Sequence, residues 1–207
     1  MEPYQHRQLK ESLLHSYGDW VYSHTTNGWK SHLLTFKFSQ IPGSNASKLS
    51  EMKKSLTWFY GRLAKASVPK PSSQKWSQFL PKVILTPDLP VPKRSLQKLK
   101  DVTINNGIHW HGLALINPLT PKLALPLHLH IEINLAKFMV RSIIDIHVEP
   151  IIHTPRPVTQ YGKKGIKKIE FEYEDVLIFP RCVSELPTSQ QVKGIKPCSL
   201  KYKETQY

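Results

Sequence analysis

The stretch Gly107–Ile116, GIHWHGLALI, limits what this chain can fold into more than any other part of it. Apolar residues dominate, no proline interrupts, and the polar side chains are His109 and His111, so a strand inside a sheet is expected. Side chains alternate faces along a strand, which puts both imidazoles on one side with Cα atoms about 6–7 Å apart. Two ring nitrogens so placed can meet one divalent ion at about 2.0–2.1 Å. Equally, they can be partly buried histidines satisfied by hydrogen bonds. Gly112 leaves room beside them for a backbone or a nucleotide to come close. A second pair of the same spacing, His128 and His130 in PLHLHIE, competes with the first. The four histidines together would also suit a phosphoesterase that uses the pairs as acid and base.

The neighbouring segments supply a sheet for that strand to join. LLTFKF (Leu33–Phe38) alternates Leu34, Phe36 and Phe38 with Thr35 and Lys37, as a strand does. After the turn at Pro42-Gly43, Ser44 or Ser47 can cap a helix to about Lys65. Leu49, Met52, Leu56, Phe59 and Leu63 fall on one face of it, and Lys48, Lys53, Lys54 and Arg62 on the other. Lys82–Thr86 reads as a short buried strand broken by Pro87, Pro90 and Pro92, and residues 67–81 as a linker. Residues 117–137 form a connection with a short helix, and Arg141–Glu149 is a further strand. Pro155 and Pro157 announce a helix from about Val158 to Lys168, and Asp175–Pro180 is a last strand. The expected class is α+β, a central antiparallel sheet with helices packed on it. Residues 31–180 form the domain, residues 1–30 a polar N-terminal arm, and residues 181–207 a polar tail.

Charge narrows the partner. Lys and Arg total 29 against 15 acidic residues, a net charge of +14. Such an excess suits a polyanion, because each cation that meets a phosphate releases counterions. No apolar run approaches the roughly 18 residues of a membrane span, and the N-terminus lacks an apolar signal core. A soluble cytoplasmic protein with no membrane partner is therefore expected. Cys182 and Cys198 match neither a zinc module nor a disulfide framework.

Tyr161 and Lys164 lie three apart on the expected helix and share a face. A phenol with its free pKa near 10 is a poor nucleophile. A metal polarising a phosphate and a nearby ammonium would both help it. Alone, the pair is equally a core aromatic beside a solvated lysine face.

Taken in order, LLTFKF, HWHGLAL and YGKKG resemble the HUH endonuclease superfamily. The likeness is strongest to the single-tyrosine rolling-circle replication initiators of plasmid and phage type, and the stretch IDIHVEPIIHTPRPVTQYGKKGIKK extends it. The resemblance implies an RRM-like HUH fold with His109 and His111 as metal ligands, since HWHG carries the motif's glycine and apolar flanks. His128 and His130 follow a proline in a connection. For the third ligand it leaves Asp101, eight residues before His109, and Glu149, which lies near His147 on a neighbouring strand. It implies Tyr161 as nucleophile, Lys164 as its electrostatic aid, and Mg²⁺ or Mn²⁺ as cofactor. Lys163, Lys167, Lys168, Lys53 and Lys54 would grip the DNA, and Trp58, Trp76 and Trp110 either stack bases or belong to the core. The implied activity is nicking and rejoining of a single-stranded or hairpin DNA origin through a 5′-phosphotyrosine link. No Walker A sequence occurs, so a host helicase as well as a polymerase is expected, in a bacterial cytoplasm. Two alternatives are a non-catalytic basic RRM-like nucleic-acid-binding protein and an HUH transposase.

Overall fold

The computed structural model describes residues 3–89, 104–152 and 175–181, and among these residues the alternation of apolar and polar residues, helix caps and turn residues generate five strands and four α-helices. In chain order these are α1 (Pro3–Thr26), β1 (Lys30–Phe38), α2 (Asn45–Ser67), β2 (Lys82–Asp88), β3 (His109–Ile116), α3 (Leu127–Ile133), α4 (Leu135–Phe138), β4 (Ile143–Pro150) and β5 (Leu177–Phe179). The strands form one sheet in the order β4-β1-β3-β2-β5, and every neighbouring pair is antiparallel. The α+β class read from the sequence is thereby met.

Even-numbered residues of β1 and β3 make the core. Leu34, Phe36 and Trp110, with Leu85 and Phe179, are buried under Met52, Leu56, Phe59 and Leu63 of α2. Phe59 meets Phe36 edge-on at 4.8 Å between ring centroids, and Tyr60 stacks on Phe179 at 4.6 Å. Each such side chain contributes about 1.5–3 kcal/mol by leaving water. α2 starts where expected, the Ser44 hydroxyl accepting from the Ser47 amide. Leu127, Ile131 and Phe138 bring α3 and α4 onto the same face. Trp110 is thus a core residue, with its indole Nε1 buried and unpaired among the described residues. Trp58 on α2 is exposed instead.

Two segments differ from the sequence reading. Within the expected polar arm, residues 3–26 form α1, whose Tyr17 and Val21 pack on Ile84, Leu113 and Leu115 across the sheet from α2. Those two residues are four apart, a helical spacing, but scattered histidines and serines hide the periodicity. β2 also runs through Pro87 to Asp88 rather than stopping at Thr86. The short β5 pairs only with Val83, Ile84 and Leu85. Among the described residues no strand flanks Pro87 opposite β3, a position where its missing N–H is tolerated.

Gly112 sits opposite Leu34 on one side and Leu85 on the other. The backbone that approaches it is β2's own, since a Cβ there would collide with the Ile84 carbonyl oxygen and lie 2.5 Å from Leu85 Cδ2. Gly112→Ala is expected to destabilise the fold by about 3 kcal/mol or more through forced strand separation, read as a drop in the urea midpoint.

His32, on the core side of β1, is buried beside His128 of α3, ring centroids 6.1 Å apart, and both Nδ1 atoms lack a hydrogen-bond partner among the described residues. Burial and then the neighbouring His128 lower the His32 pKa from 6.5 to about 4. Above pH 6.5 the imidazole is neutral in both states; between 6.5 and 4 the unfolded chain takes up a proton that the folded one refuses. Stability is therefore expected to fall with pH across that window, by about 3 kcal/mol from this group. Urea unfolding at several pH values should show a shallower acid loss for His32→Leu than for wild type.

Candidate metal centre

The odd-numbered residues of β3 face the opposite way from Trp110. Leu113 and Leu115 pack under α1, and His109 and His111 continue the row beyond it. The approach to the row is set by the turn Ile104–Gly107, where Asn105 and Asn106 adopt left-handed backbone angles, φ 55° and 58°. Asn105 suits that conformation and anchors it: its Oδ1 accepts from the Ile41 amide at 2.8 Å, and its Nδ2 donates to the Ser39 carbonyl at 2.8 Å. The turn presents the Gly107 carbonyl to His109 Nδ1 at 3.0 Å. On the other side, Thr35 of β1 stands directly opposite His111, with Oγ1 2.9 Å from its Nδ1.

With both Nδ1 atoms held from behind, the Nε2 atoms turn toward each other and lie 2.8 Å apart. Asp88, directly opposite His109 on β2, brings Oδ2 to 4.0 Å from His111 Nε2. Its Oδ1 accepts from the Leu89 amide at 2.9 Å, which fixes the carboxylate. Asp88 is buried and the two histidines are half-buried. One ligand atom from each lies within 4.8 Å of the others, so the group is able to hold a metal ion. Ligands about 2.0–2.1 Å from one ion are spaced about 2.8–4.2 Å apart, and the 2.8 Å between the two Nε2 atoms and the 4.0 Å from His111 Nε2 to Asp88 Oδ2 fall in that range. The donor chemistry also fits: a carboxylate offsets cationic charge, and imidazole suits several divalent transition metals.

His109 and His111 converge. Glu149 is exposed on β4 opposite Leu33 and is not in the group. Among the described residues, the carboxylate that joins the two histidines is Asp88. Asp101, Tyr161, Lys163, Lys164, Lys167 and Lys168 lie outside the described residues. Lys53 and Lys54 sit on α2, across the sheet from the histidines. Lys53 pairs with Asp175 at 2.7 Å and Lys54 with Glu51 at 3.5 Å. His128 and His130 are on α3, where residues two apart point about 200° apart. His128 turns to His32 and His130 lies edge-on to Phe138, so one ion does not serve both. A signal for Asp88 existed in the alternation Lys82, Ile84, Thr86, Asp88, had it been carried through Pro87.

No protein-family model matches the chain, and comparisons with curated proteins and with solved structures find no match. No helix among the described residues is long and apolar enough to cross a membrane.

A bound ion stabilises the folded state by mass action, by about 2.7 kcal/mol at a hundred times its Kd. Mn²⁺ is expected to raise the thermal midpoint of wild type, while the double variant His109→Ala/His111→Ala shows no rise. Asp88→Asn should bind at least about tenfold more weakly by calorimetry.

Proposed function

We propose that the protein is a metal-dependent endonuclease that nicks and rejoins single-stranded or hairpin DNA, as the initiators of rolling-circle replication do. The observation that carries the reading is the convergence of His109 Nε2, His111 Nε2 and Asp88 Oδ2 on the side of the central strand that α1 leaves to polar groups. An H-hydrophobe-H pair on the central strand of an antiparallel sheet is what the resemblance to HUH endonucleases implies. The order β1-α2-β2-β3-α3/α4-β4, with helices on one face and strands in the order β4-β1-β3-β2, agrees with a split βαβ arrangement and supports an RRM-like HUH fold. The net charge of +14 adds sequence-independent affinity for the phosphate backbone.

In this reading His109, His111 and Asp88 hold Mg²⁺ or Mn²⁺, which when bound supplies Lewis-acid polarisation of a phosphate oxygen. Gly107 and Thr35 keep the imidazoles aimed. Tyr161 Oη attacks the scissile phosphorus as its proton passes to solvent; the new bond is Oη–P and the bond broken is P–O3′. The departing 3′ oxygen takes a proton and becomes the hydroxyl that a host polymerase extends. The Lys164 ammonium stabilises the negative charge, and Lys163, Lys167 and Lys168 hold the adjoining backbone. Reversal of the same exchange, with a 3′-hydroxyl attacking the phosphotyrosine, rejoins the strand. A host helicase opens the duplex, in the cytoplasm of a bacterial host.

The test is a denaturing gel with a labelled pool of single-stranded and hairpin oligonucleotides and Mn²⁺. Wild type is expected to give a covalent protein–DNA band, Tyr161→Phe to lose it, and Asp88→Asn to slow its appearance at least about tenfold. Cleavage that persists in Tyr161→Phe sinks the tyrosine mechanism. Tight binding of the pool with no cleavage by wild type would favour a non-catalytic nucleic-acid-binding protein instead.

A further inference from the structure

We infer that Thr35 is the positioning residue of the metal centre, and that its hydroxyl serves there because it can both donate and accept. The inference rests on the metal reading of Asp88, His109 and His111, and is independent of any DNA chemistry at that site.

The two histidines are held by groups of different kinds. Behind His109 stands the Gly107 carbonyl, 3.0 Å from Nδ1, which can only accept. His109 Nδ1 therefore carries the ring proton, and its Nε2 presents a lone pair. Behind His111 stands the Thr35 hydroxyl, 2.9 Å from Nδ1, which can accept from an N–H or donate to a bare nitrogen. The Nε2 atoms are 2.8 Å apart, and two lone pairs at that separation repel unless a proton or a cation lies between them.

Without an ion, that proton belongs to His111 Nε2 and is donated to His109 Nε2, and Thr35 donates to His111 Nδ1. With an ion held by the group, both Nε2 lone pairs are engaged, the His111 proton is on Nδ1, and Thr35 accepts it. His111 gives one proton to solvent at Nε2 and takes one from solvent at Nδ1, so its charge does not change. A carbonyl in place of Thr35 would hold the ligating tautomer at all times and leave the lone pairs opposed. A methyl group would leave His111 Nδ1 without this hydrogen bond in either state. Thr35 can meet both demands because it occupies the β1 position directly opposite His111.

The test compares Mn²⁺ binding by calorimetry for the full chain and its Thr35→Val and Thr35→Ser variants. Outer partners of metal-bound histidines typically contribute 10- to 100-fold in affinity, so Thr35→Val should bind about 10–100-fold more weakly and Thr35→Ser within about threefold of wild type. Imidazole ¹⁵N spectra of wild type supply a readout that does not depend on a variant folding. His111 should show Nε2–H in the metal-free protein and Nδ1–H after addition of Zn²⁺. Wild-type affinity in Thr35→Val, equal losses in Val and Ser, or Nδ1–H on metal-free His111 would each overturn the inference. Wild type that takes up neither ion overturns it along with the metal centre. Normal metal uptake without DNA cleavage counts against the nuclease reading alone.

Discussion

The register of β3 between β1 and β2 is the constraint on which the rest depends. Gly112 lets the β2 backbone come against β3, and the paired ladders hold Trp110 on one face with His109 and His111 on the other. A slip of one residue would exchange those faces, sending an indole to the polar side and two imidazoles into the core. Trp110 is fully buried, so that exchange opposes the largest apolar burial in the sheet. The packing that stabilises the fold thus also orients the candidate ligands.

The two faces of the sheet carry different tasks. On one, α2, α3 and α4 close a continuous core around Phe36, Phe59 and Trp110. On the other, α1 covers Leu113 and Leu115, and polar residues take over from His111 outward. A site on paired strands, with each imidazole tied from behind, is stiffer than one on a loop. Sheet pairing spans long stretches of chain: Thr35 and Asp88 reach His111 and His109 from flanking strands.

The two His-x-His pairs show how secondary structure sets the meaning of a spacing. On β3 a separation of two keeps both rings on one face; on α3 the same separation sends them to different neighbours. His128 then lies beside the buried His32, whose suppressed protonation ties stability to pH. Apolar flanks and a glycine mark the first pair in the sequence, and a preceding proline marks the second.

Much was legible along the chain because it is local. Alternation at Leu34, Phe36 and Phe38, the Ser44 cap and the three-four spacing of Met52, Leu56, Phe59 and Leu63 identify β1 and α2, and period two across His109 and His111 identifies the paired imidazoles. What needed the tertiary structure is whatever depends on strand pairing. Asp88 becomes a ligand candidate because β2 continues through Pro87 and aligns it with His109. Thr35 acquires its place behind His111 from β1–β3 register, and α1 is recognisable through Tyr17 and Val21, which pack on the sheet. The physical reason is common to all three. Periodicity is carried by neighbours in sequence, whereas cross-strand register is decided by which buried surfaces fit, and for this sheet that fit is decided at Gly112 and Trp110.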